Sequence, residues 1–332
     1  MKNASASGCV GLYRDRDDDD LLRQVDDPTD PNFLHRGQRA YLGYGLTAKR
    51  LTEPALTMGQ LPPLDAVVLS HLHGDHWDRN AQRGLDRDTM IITTPHAAKR
   101  LQWRGFSRAL GIRTWGSHDL VRGDDRVTIT SMPGRHAPLP VQRLLPPVMG
   151  SMLEFGPAVG PPQLRVYLSG DTLLIEELQE IPQRYPDIDA AVLHLGGTRL
   201  PGGLMVTMDA VQGADLMQLL IPKMTIPVHF DDYRLFRSPL ADFRAEVIRR
   251  RLVDQVRFVE RGDTVALHPI RPTPKDPGQS PRRLSPLMVG WLPNDSSATR
   301  LAACRWPSLG RWNSTTTPRT AGGDDATELV RT

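Results

Sequence analysis

Cysteine is nearly absent. Only Cys9 and Cys304 occur in 332 residues, near opposite ends and without a C-x-x-C partner. That argues against a disulfide framework or a thiolate metal site and points to a reducing, cytoplasmic setting. No apolar run approaches the roughly 18 residues of a membrane span. The N-terminal stretch carries "RDRDDDD" (Arg14 to Asp20) where a secretory signal needs an apolar core. No stable membrane association is expected. A dense Lys/Arg block is missing too: 41 basic residues stand against 38 acidic ones, for a net charge of +3, and the arginines are scattered among acids. A nucleic-acid partner is therefore not expected. Homo-oligomerisation is left open.

Three zones differ in texture. Residues 1–29 are polar and acidic and lack hydrophobic periodicity, so they read as a poorly ordered leader. Residues 30–270 alternate apolar runs with helical patterns. Residues 271–332 are rich in Pro, Ser and Thr, cannot bury enough apolar surface to form a core, and read as a disordered tail. In the middle zone "LDAVVLS" (Leu64 to Ser70), "MIITT" (Met90 to Thr94), "RVTITSM" (Arg126 to Met132), "QLRVYLSG" (Gln163 to Gly170), "IDAAVLHL" (Ile188 to Leu195) and "MTIPVHF" (Met224 to Phe230) read as strands. Pro227 makes the last of these short or an edge strand. "PHAAKRLQW", "TLLIEELQEIPQRY" (broken by Pro182), "MDAVQGADLMQLL" and "LADFRAEVIRRRL" read as helices, and "QVRFVERGDTVAL" as a closing hairpin. Mixed strands and helices in this order indicate an α/β layered domain.

What the chain has in excess is coordinating side chains at strand ends. The first strand runs into "HLHGDH", with His71, His73, Asp75 and His76 inside six positions. Later strands run out at His136, Asp171, His194 and His229. Each later residue alone has an ordinary reading: Asp171 in "SGDT" suits a helix cap, and a lone histidine is more often a satisfied structural one. Four coordinating groups on one turn are different, because imidazole and carboxylate together are the set divalent transition metals prefer. His35, His96, His118 and His268 have no such setting and read as structural.

"HLHGDH" resembles the H-x-H-x-D-H signature of the metallo-β-lactamase fold superfamily. The downstream order "PGRH", "LSGDT", "IPVHF" is similar as well. "HGDHWD", "LHLGGT" and "IPVHFDDY" look most like the branch that contains ascorbate-6-phosphate lactonase and N-acyl-phosphatidylethanolamine phospholipase D. The resemblance implies an α/β, four-layer αββα sandwich with two divalent metal ions at one edge, Zn first and Mn or Fe as alternatives. Carried over, His71, His73 and His136 would hold one metal, and Asp75, His76 and His229 the other, with Asp171 bridging. "TDPNF" (Thr29 to Phe33) resembles an Asp-Pro element that usually follows two N-terminal strands. The leader here departs from that pattern.

Such a site implies a metal-dependent hydrolase in which a metal-bridged hydroxide attacks the substrate, since paired dications lower the pKa of a shared water to roughly 7. Asp75 would orient the nucleophile or pass its proton to the leaving group. His194, outside the ligand set, would donate to the substrate oxyanion, protonate the leaving group, or merely pack beside Gly196 and Gly197, with a functional role favoured. Asp78 is expected as an outer partner of an imidazole N–H. The leading substrate is a small-molecule ester or lactone. A phosphodiester (phospholipid or nucleotide) and a non-catalytic metal-binding scaffold are the alternatives.

Overall fold

The computed structural model describes residues 10–14, 27–61, 64–200, 202–261, 263–267, 287–290 and 313–315. In chain order the strands are β1 (Val10–Arg14), β2 (Asp27–Thr29), β3 (Arg39–Gly43), β4 (Leu46–Lys49), β5 (Ala66–Val68), β6 (Met90–Thr93), β7 (Ala109–Gly111) and β8 (Ser117–Arg122). They continue with β9 (Asp125–Met132), β10 (Gly150–Pro157), β11 (Leu164–Leu168), β12 (Ala190–His194), β13 (Met224–Val228), β14 (Thr264–Leu267), β15 (Leu287–Gly290) and β16 (Asn313–Thr315). The helices are α1 (Arg79–Gly84), α2 (Pro95–Trp103), α3 (Glu180–Arg184), α4 (Ala210–Leu220) and α5 (Leu240–Arg249). One seven-stranded sheet has the order β14-β15-β1-β2-β5-β6-β7, and a second has β13-β12-β11-β10-β9-β8-β16. The β3–β4 hairpin stands apart from both.

Period-two side chains stack these sheets into four layers. Ala66 and Val68 of β5 and Met90 and Ile92 of β6 join Ile129, Leu153, Val166, Ala190 and Val192 of the second sheet in one core. The alternate residues point outward. Val67, Leu69 and Ile91 pack with Ala81, Ala98, Leu101 and Phe106 of the α1–α2 side. On the other flank Met152, Tyr167, Ala191 and Leu193 pack with Ile181, Ala214, Met217, Phe243 and Val247 of α3, α4 and α5. The result is the αββα sandwich, and short strands apolar on both faces are what that layering demands.

Strand direction decides where the loops meet. β2, β5, β6 and β7 are parallel, as are β11, β12 and β13. Since β10 is antiparallel to both β9 and β11, β9 runs with β11. Four strands of the second sheet therefore end at one edge, and β13 is the outermost strand of its sheet, as Pro227 suggests.

Three expectations need correction. Residues 255–267 do not form a hairpin. Val256 makes an isolated bridge to Thr225 of the second sheet, whereas β14 pairs with β15 of the first. The two arms serve different sheets, which a hairpin cannot do. The segment from Thr172 to Tyr185 is a 3₁₀ turn (Glu176–Gln179) leading into the short α3, where Pro182 lies in the first turn and its missing N–H breaks no helical bond. The leader and tail each carry strands that hydrophobic periodicity did not reveal: β1 pairs with both β2 and β15, and β16 pairs with β8. The rest of 1–29 and of the Pro/Ser/Thr-rich tail lies outside the described residues.

Ile92 is fully buried between the two sheets. Ile92→Ala should cost about 2–5 kcal/mol in equilibrium urea unfolding. A loss much below that would mean the sheets do not share this core.

Candidate metal centre

The ligand loop starts where β5 ends. His76 N and Trp77 N both donate to His73 O, at 3.1 and 2.8 Å, closing a tight turn that throws His71, His73, Asp75 and His76 inward. Gly74 is required there. Its N–H donates to Tyr41 O at 2.9 Å, and a Cβ would lie 2.6 Å from Tyr41 N. The β3–β4 hairpin thus presses directly on the ligand loop.

All seven expected ligands converge and are buried. Three groups form among the described residues, each with coordinating atoms within 4.8 Å of one another: His71, His73 and His136, then Asp75, His76, Asp171 and His229, and lastly Asp30, His76 and His194. In the first, His73 Nδ1 lies 2.8 Å from His71 Nε2 and 3.0 Å from His136 Nε2. In the second, Asp171 Oδ2 is 3.3 Å from His76 Nε2 and its Oδ1 is 3.3 Å from His229 Nδ1. His229 Nε2 faces Asp75 Oδ2 at 3.8 Å.

Asp30 organises the imidazoles from behind. It accepts from Ser70 N and Ser70 Oγ at 2.7 Å each and from His76 Nδ1 at 2.9 Å. Ser70 Oγ in turn takes His71 Nδ1 at 3.0 Å. His71 is thereby held as the Nδ1–H tautomer with a bare Nε2 aimed at the cluster, and His76 is held the same way whenever it is neutral. His136 Nδ1 donates to Val206 O and leaves its own Nε2 bare. Asp30, in the Asp-Pro pair at the end of β2, was not among the expected site residues. "TDPNF" was the available signal. Asp78, expected in this role, instead caps α1 through Asn80 N and Ala81 N and accepts from Phe33 N. It is a helix cap on the loop's far side, and no imidazole reaches it. A buried guanidinium adds a second brace: Arg50 Nη1 donates to Asn32 Oδ1 at 2.6 Å, and Asn32 Nδ2 donates to Asp75 O at 2.7 Å.

His194 lies against this arrangement. Its ring is stacked 5.7 Å from that of His76, its Nε2 is 3.7 Å from Asp30 Oδ2, and Ser169 Oγ lies 3.4 Å from its Nδ1. His35, His96 and His118 belong to none of the groups, and His268 lies outside the described residues.

Burial dominates the charges. It holds His71 and His73 well below the ordinary histidine value, helped by neighbouring imidazoles, and pushes His229 down to about 3. Burial, with the Asp171 carboxylate adding to it, raises Asp75 to about 6. His76 goes the other way: burial opposes its charge, but Asp171, Asp30 and Asp75 outweigh it and lift the imidazole well above its usual range. Left-handed backbone occurs here as well. Asp30 and His229 sit at φ 48° and 58°, where few non-glycine residues go, and Gly170 at 57° sets Asp171.

A cation fits these residues. An imidazole nitrogen offers one proton or one lone pair, so His73 Nδ1 cannot hydrogen-bond both His71 and His136. Asp75 Oδ1, Asp171 Oδ1, His76 Nε2 and both ring nitrogens of His229 are buried without a hydrogen-bond partner. Their 3.3 Å approaches are close but not aligned as hydrogen bonds. Unpartnered buried polar atoms are costly, and one or more dications would satisfy them together.

Comparison with known proteins identifies the family. Residues 39–230 match the Beta-lactamase superfamily domain, and the chain belongs to that family. It is 28% identical over 207 residues to a UPF0173 metal-dependent hydrolase of Deinococcus radiodurans, covering 61% of this chain and 80% of the relative. A UPF0173 metal-dependent hydrolase of Pyrobaculum calidifontis is 35% identical over 183 residues, covering 54% and 72%. Among solved structures, a possible metal-dependent hydrolase from Veillonella parvula superposes with a TM-score of 0.61 at 20% identity, covering 78% of this chain and 98% of that one. The isothiocyanate hydrolase from Delia radicum gut bacteria gives 0.61 at 18%, covering 77% and 97%. The chain is a metal-dependent hydrolase with the metallo-β-lactamase fold.

Two outcomes follow from the geometry. Gly170→Ala would place a Cβ 2.8 Å from Met149 O and from Ser70 Cβ at a left-handed φ, so it should cost more than about 1 kcal/mol in urea melts. For metal-stripped protein, the unfolded chain protonates its histidines near pH 6.5, whereas folded His229 resists until about 3. Stability from neutral His229 is present above 6.5 and lost as pH falls toward 3. His76, with its raised value, contributes below 6.5 and loses that contribution as pH rises through its folded value. The depressed histidines outnumber it, so the urea midpoint should be lower at pH 5 than at pH 7.5. An equal or higher midpoint at pH 5 would contradict this charge assignment.

Proposed function

We propose that this protein is a two-metal hydrolase of small-molecule esters or lactones, with His71, His73 and His136 holding one ion and Asp75, His76 and His229 the other, bridged by Asp171. One observation carries the reading. A single cavity of about 150 Å³ is walled by His73 and His136 from one ligand group and by Asp75 and Asp171 from the other. A substrate there would touch residues of both ligand groups and so would lie within reach of the ions they would hold. Histidine-rich sites with carboxylates favour Zn, with Mn or Fe as alternatives.

Bound dications lower the pKa of a shared water from about 15.7 to roughly 7 and polarise the carbonyl under attack. The chain's own residues do the rest. Asp30 and Ser70 fix the tautomers of His71 and His76. Asp75, on the cavity wall with Oδ1 unpartnered, takes a proton and returns it to the leaving oxygen. His194 does not line that cavity and groups with Asp30 and His76; it is proposed to donate toward the substrate oxygen from beside His229, 5.3 Å away between ring centres.

Elemental analysis of protein purified without chelators, paired with turnover of lactones and of bis(p-nitrophenyl) phosphate, tests this. Two divalent ions per chain are expected, with at least one lost in His71→Ala and in Asp171→Ala. Lactone turnover should exceed phosphodiester turnover. The reverse preference would make the protein a phosphodiesterase, and metal without turnover of either would make it a scaffold. His194→Ala should keep its metal and lose about 10²–10³-fold in rate. Wild-type turnover in that variant would reduce His194 to a packing role.

A further inference from the structure

The cavity beside the ligand groups is apolar. Leu42 and Leu46 come from the β3–β4 hairpin, Leu144 and Leu145 from the segment after β9, and Leu200 and Val206 from the loop after β12. Among the described residues no lysine or arginine lines it. Two neighbouring cations are engaged elsewhere, and Arg143, beside Leu144 in sequence, is exposed. Arg135, next to His136, is ion-paired with Glu177, and Arg199 donates to Gly203 O at 2.9 Å and lines a separate cavity. An anionic substituent at the leucine end, away from the ligand residues, would be desolvated with no lining lysine or arginine to meet it, which is costly. A volume of about 150 Å³ is that of an apolar cavity known to take benzene.

The mouth is apolar as well and is tied across. Tyr44, at the hairpin tip between Gly43 and Gly45, is 74% exposed, and Leu144 is 60% exposed. Tyr44 Oη donates to Leu144 O at 2.7 Å, spanning 100 residues of chain. Gly43, Tyr44 and Gly45 all have positive φ (98°, 49° and 76°), so the tip is a turn built to carry the tyrosine outward to that carbonyl. Since the same hairpin presses on Gly74 of the ligand loop, the groups that contact a substituent are registered to the reacting centre through one element.

We propose, building on the ester or lactone hydrolase reading above, that the substrate carries an uncharged, benzene-sized apolar group next to the bond that is cleaved. The Tyr44–Leu144 clasp holds that group, and phosphorylated or carboxylated substituents at the same position are rejected. The reaction is ordinary hydrolysis: water supplies the new carbon–oxygen bond, the acyl–oxygen bond breaks, and the departing alkoxide takes a proton, giving the free hydroxy acid. Leu46 and Leu144 are the specificity-determining residues.

The test uses the metal-loaded full chain and three γ-butyrolactones that differ only at the γ-carbon: unsubstituted, phenyl and carboxylate. The expected order of kcat/KM is phenyl, then unsubstituted, then carboxylate, with about tenfold or more between the first and last, expressed mainly in KM. Leu144→Lys, at an exposed position that tolerates a long side chain, should lower kcat/KM for the phenyl lactone by about tenfold or more and raise that for the carboxylate. A binding measurement separates this from the hydrolase reading. Benzyl alcohol, which cannot be hydrolysed, should shift the methyl resonances of Leu46 and Leu144 in wild type and bind more weakly to Leu144→Lys. Equal turnover of all three lactones, with no response to Leu144→Lys, overturns the specificity assignment and leaves the hydrolase reading intact. Absence of lactone turnover alongside benzyl alcohol binding at Leu144 overturns the ester or lactone reading and supports the apolar site. No binding at Leu46 or Leu144 overturns the site itself.

Discussion

Seven ionisable side chains packed within a few ångströms and nearly excluded from water are the constraint on which this structure rests. Placing them there costs free energy unless their lone pairs and charges find partners. Part of the answer is internal: the carboxylates of Asp171, Asp30 and Asp75 gather around His76 and lift its pKa well above the ordinary histidine range. The remainder is left open, because Asp75, Asp171, His76 and His229 keep polar atoms with no hydrogen-bond partner. A site that is satisfied only by a cation is a site whose folding energy and metal affinity are one quantity.

The rest of the molecule serves that cluster in layers of support. Asp30 and Ser70 set which ring nitrogens are bare. Asn32 and Arg50 hold the Asp75 carbonyl and so the path of the ligand loop. Gly74 lets the β3–β4 hairpin lie against that loop, and the hairpin then contributes Leu42, Tyr44 and Leu46 to the cavity. Left-handed backbone at Asp30, Gly170 and His229 marks three strand ends that turn sharply to aim a side chain. Each such turn is a local cost held in place by the sandwich around it.

Much of this was legible in the sequence, for a physical reason. Strands buried on both faces must be short and apolar, so β5, β6, β11, β12 and β13 were found within a residue or two at either end, and α2 at both ends. A turn holding four coordinating groups has few other uses, which is why "HLHGDH" read as a ligand loop. Asp30 and Asp78 show where such reading stops. Both are acids near the loop, and their side chains look equally suited to an imidazole. Only the pairing of β2 beside β5 puts Asp30 behind His76, while Asp78 turns to cap α1. The segment after Gln255 stops there too, because two nearby apolar stretches look like a hairpin whichever sheets they join.

By itself the sequence determined the layered α/β class, the strand ends and the chemical kind of the cluster, since these depend on side-chain period and on residue type within a few positions. The tertiary structure alone decided which acid orients which histidine, which sheet each late strand extends, and that segments around residues 42, 144 and 200 meet beside the ligand residues in a cavity that no described lysine or arginine lines. Those are contacts between residues tens to hundreds of positions apart. Chain periodicity carries no information about which of them become neighbours; packing of the two sheets does.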